Sequence, residues 1–582
     1  MLLRSVVPLS VALLAIWCVG ILGRGYWTPD EPREADIAWR MSWQPNKAVP
    51  LLAGEAFCEK PPLIYWAAAA AIKRFGDSAW AARLPNVLYA LITALSVYLL
   101  ARRSVDSLAG LVAAAAISTF LLSYQVAIWL ATDAPLLAAV AVALLGAYVG
   151  LYARESGERL RGYSSMHAAL AVGFLSKSAA AWIVPALAIV TLAIWERRWR
   201  ELLRWELYAG LGLQALVILT WVWFVYTGPD GPAHLKVFFW NNLVGRFTHI
   251  DAPRELQYAT AHRNSPGKYL LELPMYLWPW TLLVAAAARR AFKQRRAGFD
   301  ELRPVRFALA SSLPALAVLS VAATARNIYL APALPGVALL LGWWGREAAG
   351  SADRWDVRAV HGTAALLLFA VLAFAAALAL VGVDSWDSMS TRSGFVVISG
   401  VGLMAAAALA VHAGTAAGHG SMLRGQFALL LAYCALLAGP ASQLYRQVDT
   451  WQNLAKIGRA IEADAAGRPL ILFAPDETTR ALIDMYVRTS VGLIAGPIDP
   501  VSIEHLSRKI ASEPRALVAV QLPGREITRT VQRVANQFGL EVGQAQDSAK
   551  DPPAWASASK LRIAHFYALP NGRRYALLEA AR

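Results

Sequence analysis

The stretch VVPLSVALLAIWCVGILGRGYWTPDEPREAD, Val6 to Asp36, decides what kind of protein this is. Val6 to Leu22 carries no charge and, at about 1.5 Å per residue, is long enough to cross most of a bilayer's hydrocarbon core. Arg4 precedes the run as it would in a leader peptide, but no small-x-small cleavage site follows, so the segment is read as a retained first span. Directly beyond it stand Asp30, Glu31, Glu34 and Asp36 with Arg33. Carboxylates and a cation crowded where a chain leaves the membrane call for a reason.

The rest of the 582 residues supports the membrane reading. Apolar residues make up 57% and charged ones only 16%, and the mean hydropathy is +0.43, far from a soluble globular composition. Apolar windows near 6–22, 84–101, 108–124, 134–152, 166–176, 179–195, 206–226, 270–288, 306–323, 329–344, 360–382, 394–411 and 425–442 predict about thirteen transmembrane helices. The net charge of +16 comes from arginines lying between these windows, with no continuous basic face interleaved with aromatics, so it implies no nucleic-acid partner. Cys18, Cys58 and Cys434 have no paired spacing and form neither a disulfide framework nor a zinc ribbon.

Arginine sets the orientation. Arg102 and Arg103, Arg154 to Arg161, Arg197 to Arg204, Arg289 to Arg296, and Arg346 to Arg358 all fall on one side, which the positive-inside rule makes the cytoplasm. The N-terminus is then cytoplasmic, and the loops 24–83 and 227–268 face outward together with everything after Ser442. From about Gln443 the hydropathy falls. "PLILFAP" and "RALVAVQLP" read as buried strands, helices are expected near 478–489 and 525–538, and "IAHFYALP" and "RRYALLEA" read as a hairpin turned at Asn571-Gly572. The organisation expected is a membrane domain over 1–442 and a soluble, outward α/β domain over 443–582.

The candidate chemical residues cluster on the outward side. Asp30 can cap a short interfacial helix with Pro32 in its first turn, Ile37, Ala38 and Met41 on one side, and Glu34 and Asp36 on a solvated face. Glu59 and Lys60 sit in stiff, non-helical backbone before Pro61-Pro62. Asp133 opens a span as an N-cap or as a functional acid at the membrane boundary. Lys177 either snorkels to the headgroups or binds an anion, and Tyr329 is either a belt tyrosine or part of a pocket. Arg246, His249, His262, Arg263 and Lys268 load the second outward loop. Carboxylates beside cations next to apolar clefts suit a lipid-borne anionic substrate, because a transferase outside the cytoplasm has no ready nucleotide sugar. A transporter would instead be expected to carry broken helices or charges within the membrane, and no such signal stands out in the sequence.

Four motifs occur in order: W-x-P-D-E-x-R after the first span, F-x-E-K-P about thirty residues on, D-x-x-L at the start of the fourth span, and L-[ST]-K beyond it. This combination resembles the lipid-dependent membrane glycosyltransferases, a superfamily that includes the protein O-mannosyltransferases and, nearer to this chain, the bacterial 4-amino-4-deoxy-L-arabinose transferases of lipid A. The resemblance implies a mainly α, polytopic GT-C-type protein of the bacterial inner membrane. It implies catalytic roles for Asp30, Asp133 and Glu59, donor-phosphate binding by Arg33, Lys60 and Lys177, and a substrate pocket with Glu31, Arg246, His262 and Tyr329. The reaction implied is inverting transfer of an aminopentose from undecaprenyl phosphate to a lipid A phosphate, or of another sugar to another lipid, glycan or protein acceptor. A lipid flippase is the non-enzyme alternative. Partners are the polyprenyl-phosphate sugar, the acceptor and membrane lipids. No cofactor is certain, and a divalent metal stays an open alternative, weakened because the aminoarabinose enzymes carry Glu-His before Ile-x-Arg-Phe whereas this chain reads Asn242-Leu243 before Val244-Gly245-Arg246-Phe247. Their Lys-x-Lys-Leu-Pro-x-Tyr run appears only as "TARNIY".

Overall fold

A computed structural model describes residues 2–246, 267–296, 298, 301–321, 326–382, 389–522, 553–569 and 573–581. Among them, eight helices are long and apolar enough to cross a membrane, and ten segments qualify if two bent helix pairs each count as one span. Leu9–Ile21 and Ala180–Trp195 are shorter apolar helices. The protein is a mainly α, multi-pass membrane protein.

Two windows read from the sequence as straight spans are bent. Ser107–Thr119 meets Leu121–Ile128 at 65°, and Lys268–Tyr276 meets Thr281–Lys293 at 112°. At the first break Phe120 is extended, and the hydroxyls of Ser118 and Thr119 donate back to the carbonyls of Ala114 and Ala115. The breaks satisfy one another's polar groups: Leu121 N–H donates to Trp278 O at 3.0 Å, and the Trp280 indole N–H donates to Thr119 Oγ1 at 2.9 Å. Such mutual bonding is what irregular backbone in an apolar bundle requires. Hydropathy measures composition and cannot report a bend. The expectation that no helix would be broken is therefore corrected.

One helical hairpin matters most. Asp133–Tyr152 and Ser156–Lys177 run antiparallel through small residues, so close that a Cβ on Gly162 would fall 2.5 Å from Gly150 N. Their lengths of 20 and 22 residues nearly match, so the first residue of one meets the last of the other. The span expected over 166–176 is the C-terminal half of this longer helix.

At the other end of the bundle the arginines of successive loops are tied together by ion pairs: Arg103 to Glu158, Arg306 to Glu196, Arg346 to Asp106 and Arg290 to Asp356. They gather on one face, as the charge pattern demands.

The C-terminal residues build a mixed five-stranded sheet in the order Val491–Ile494, Leu470–Phe473, Leu517–Leu522, Arg574–Ala580, Leu561–Ala568. The first three strands are parallel and the last two antiparallel to their neighbours. The strand Val491–Ile494 and the helices Leu454–Ala465 and Pro500–Ser512 add to the elements read from the sequence. The helix expected near 525–538 and the Asn571-Gly572 turn lie outside the described residues.

Candidate active site

The helix Asp30–Trp43 begins after Pro29, with Pro32 in its first turn where a missing N–H is harmless. No side chain caps it. Asp30 is its first residue, and rather than capping, its carboxylate reaches sideways: Oδ1 accepts from Arg326 Nη1 at 3.0 Å and from Arg33 Nη2 at 3.3 Å. The expected solvated face does not exist either. Glu34 and Asp36 are buried, and Glu34 shares its side of the helix with the buried Ile37, Ala38 and Met41, three, four and seven residues on. The helix is covered by Leu63–Phe75 and, from the C-terminal unit, by the helix Glu477–Tyr486, whose Ala481 and Met485 share a buried cluster with Ala35, Ala38 and Tyr65.

Glu34 is the hub of the site. Its Oε1 accepts from Lys60 Nζ at 2.5 Å and from Arg33 Nη2 at 2.6 Å, and its Oε2 accepts from the Tyr65 hydroxyl at 2.6 Å. Burial alone would raise its pKa, but Lys60 and Arg33 outweigh it and hold the carboxyl at about 2. Arg33 also donates through Nη1 to Glu477 at 2.5 Å and lies over the Phe57 ring.

A second acid–base pair lies at the mouth of the helical hairpin. Lys177 Nζ donates to Asp133 Oδ1 at 2.6 Å and sits 4.1 Å from the Tyr329 ring centroid. Asp133 occupies the first turn of its helix and Lys177 the last turn of its own, each where the helix dipole favours its charge. Asp133 makes no capping bond, so the plain N-cap reading falls away. The segment Arg326–Tyr329 joins the two clusters, because Arg326 pairs with Asp30 while Tyr329, three residues on, meets Lys177.

The remaining candidates are placed differently. Glu31 is sealed inside a clasp: Arg24 and Arg83 both donate to its carboxylate, joined by the N–H groups of Trp27 and Leu130. With burial opposed by two guanidiniums, its pKa falls to about 2. It locks the loop to the bundle and, with its side chain 0% exposed, presents nothing to a substrate, unlike the pocket place expected of it. Glu59 lies in the turn before Pro61, and its backbone carbonyl accepts from Asn242 Nδ2. Arg246 ends a short 3-10 turn, Val244–Arg246, and His262 lies outside the described residues. Among the described residues no three His, Cys, Asp or Glu side chains converge as metal ligands would.

Asp36 is a further case that pattern alone misses. Its Oδ2 accepts from Ala53 N–H at 2.7 Å, and burial with the adjacent Asp484 carboxyl pushes its pKa well above the carboxylate range, against Ala53 N–H and Arg40. A proton held in the folded state weakens folding as pH rises above the unfolded Asp value of about 3.9. Asp36→Asn keeps the shape and the neutral form, so at pH 7 it is expected to leave stability within about 1 kcal/mol of wild type or raise it, whereas Asp36→Ala costs about 1–3 kcal/mol. Thermal unfolding of both variants in detergent checks this.

The sequence missed Glu34, Tyr65, Arg326 and Glu477. Arg326 stood in "TARNIY", where the aminoarabinose motif has lysines, so a cation at that site was the available signal.

Fold and site together define a multi-pass membrane protein with acid–base clusters at one end of its helical bundle. The family described as dolichyl-phosphate-mannose-protein mannosyltransferase matches residues 59–224, a stretch that holds Glu59, Lys60, Asp133 and Lys177. The chain is similar to the lipid-dependent membrane glycosyltransferases. It is 30% identical over 335 residues to the undecaprenyl phosphate-alpha-4-amino-4-deoxy-L-arabinose arabinosyl transferase of Pseudomonas aeruginosa (strain LESB58), covering 57% of this chain and 58% of that one. The enzyme of the same name from Erwinia tasmaniensis is 28% identical over 332 residues, 57% of each chain. The chain thus spans less than two thirds of the length of the curated relatives it matches. Its fold matches the crystal structure of ArnT from Cupriavidus metallidurans bound to undecaprenyl phosphate, with a TM-score of 0.69 at 17% identity over 98% of this chain and 97% of that one.

Proposed function

We propose that this protein is an inverting glycosyltransferase that moves a sugar from a polyprenyl phosphate to an acceptor at the outer face of the bacterial inner membrane, the sugar being 4-amino-4-deoxy-L-arabinose and the acceptor a lipid A phosphate. In this reading the N-terminus is cytoplasmic, the loops 24–83 and 227–268 face the periplasm, and residues 443–582 form a periplasmic α/β unit. The observation that carries it is the meeting of two motifs of one loop on one carboxylate oxygen: Arg33 and Lys60, 27 residues apart in sequence, both bond Glu34 Oε1 beside Asp30. The gathered loop arginines at the opposite end of the bundle support the orientation.

The chemistry follows from the charges. An acceptor phosphate oxygen attacks the sugar's anomeric carbon as the bond from that carbon to the carrier phosphate oxygen breaks, and the carrier phosphate leaves with the electron pair. Arg33, Lys60 and Lys177 offset its growing charge. Asp30, ion-paired to Arg326 and Arg33, orients the acceptor; a phosphate already ionised needs no base. Asp133 fixes Lys177 at the second cluster.

Two experiments test this. Expression in a host lacking its own sugar-adding enzyme should add the mass of one or more aminopentoses to lipid A, and unmodified lipid A removes this donor and acceptor pair. Purified protein given polyprenyl-phosphate sugar should release free polyprenyl phosphate as the acceptor gains sugar; a protein acceptor marks the related O-glycosyltransferase, and lipid movement without covalent change marks a flippase. Lys60→Ala is expected to raise the donor KM about tenfold or more, the scale of one charge-assisted hydrogen bond, with Lys60→Arg partly restoring it. An unchanged KM for both variants takes Lys60 out of phosphate binding.

A further inference from the structure

The helix Glu477–Tyr486 belongs to the C-terminal unit, 444 residues from its partner in the chain, yet it lies along the helix that carries Asp30 and Arg33. Arg33 bonds Glu477 and Arg40 bonds Asp484, each at 2.5 Å. Positions 33 and 40, like 477 and 484, are seven apart. That is about two helical turns, so one charged seam repeats along both helices with the same polarity. Arg480 adds a bond to Glu55, and the Thr478 hydroxyl donates to Pro29 O. The unit whose role the sequence leaves blank is therefore anchored on the site itself.

The two seam pairs do different things. Arg40 and Asp484 fasten the helices away from the clusters. Arg33 already divides its guanidinium among three carboxylates: Glu34 through Nε and Nη2, Asp30 through Nη2 and Glu477 through Nη1. A phosphate can reach Arg33 only by displacing one of them. Glu34 is 1% exposed and also held by Lys60 and Tyr65. Asp30 is 22% exposed and also held by Arg326. Glu477 is 44% exposed, and among the described residues its carboxylate pairs with Arg33 alone. Freeing it to water costs least, because a half-exposed ion pair is weak while a buried carboxylate stripped of its partner is expensive.

We propose that Glu477 is a placeholder for the carrier phosphate: it neutralises the Nη1 edge of Arg33 in the free protein and withdraws to solvent when the lipid phosphate takes that edge. This deepens, and rests on, the reading that a lipid-borne phosphate binds at Arg33. The C-terminal unit then tunes donor affinity by competing with the donor for one guanidinium.

The test is the affinity of the full-length protein in nanodiscs for undecaprenyl phosphate, for wild type, Glu477→Gln and Glu477→Ala, at low and high salt. Removing the competing charge should tighten binding by about two- to fivefold in both variants, and the gap should narrow as salt screens the pair in wild type. A merely structural contact would leave binding unchanged or weaken it, so either result in both variants, with wild-type binding intact, overturns the placeholder. No binding by wild type overturns the phosphate reading and the placeholder with it.

Discussion

Asp30→Asn should cut sugar transfer by about 10²-fold or more, the loss that a misplacement of about 1 Å in an oriented reactant brings, while the protein inserts and accumulates normally. The prediction rests on the difference between what Asp30 does for folding and what it does for the site. It sits at the first residue of its helix, caps nothing and keeps 22% of its side chain exposed, so an isosteric amide weakens one partly exposed pair with Arg326 and one at 3.3 Å with Arg33, which keeps Glu34 and Glu477, a loss of about 1 kcal/mol. In the site, however, its charge holds Arg326 from one side and Arg33 from the other. Without it the two cations lose their common counter-charge and the acceptor its orienting group. Transfer is read by the mass of the glycosylated acceptor, and folding by abundance and thermal unfolding. Wild-type transfer in this variant would remove Asp30 from the mechanism, and loss of the protein from the membrane would show that its role is in folding.

How far the site could be read from the sequence depended on the distance over which each contact is made. Asp133 and Lys177 were legible as separate candidates and not as a pair, because the apolar window over 166–176 showed only the second half of the helix whose last turn carries Lys177. Asp30, Arg33 and Lys60 were legible because their motifs stand in order within one loop. Glu34 was not: helical spacing puts it on the same side as Ile37, Ala38 and Met41, and a lone carboxylate at the edge of a membrane span reads as solvated when nothing in the local pattern pairs with it. What buries that face comes from the loop's own Tyr65 and from a helix some 444 residues on, and periodicity carries no information about a partner at that range. The trace available was the equal spacing of Arg33 with Arg40 and of Glu477 with Asp484. The apolar windows located the membrane segments for the same reason that they could not resolve their bends. Composition places a segment in lipid, while the breaks at Phe120 and before Trp280 depend on local hydrogen bonds.

Glu34→Gln should have the opposite signature to Asp30→Asn: loss of the folded loop, with activity failing as a consequence. Glu34 is almost wholly buried, with both oxygens bonded and two cations depending on its charge. Burying such a group is costly in itself, so its net value to folding is modest. Removing it alone is not modest, because Lys60 then keeps its desolvation without its counter-ion while Arg33 is left with only Asp30 and Glu477, a penalty of about 3–5 kcal/mol. The same carboxylate gives wild type an acid limit. Its folded pKa of about 2 lies below the unfolded value of about 4.3, so the stability it adds is complete above pH ~4.3 and is lost as pH falls towards 2. Glu34→Gln should lower the unfolding temperature at pH 7 and flatten its dependence on pH across that acid window. A variant as stable as wild type at neutral pH would mean that Lys60 and Arg33 find other partners, and that the network is held together by Glu477 and Asp30 instead.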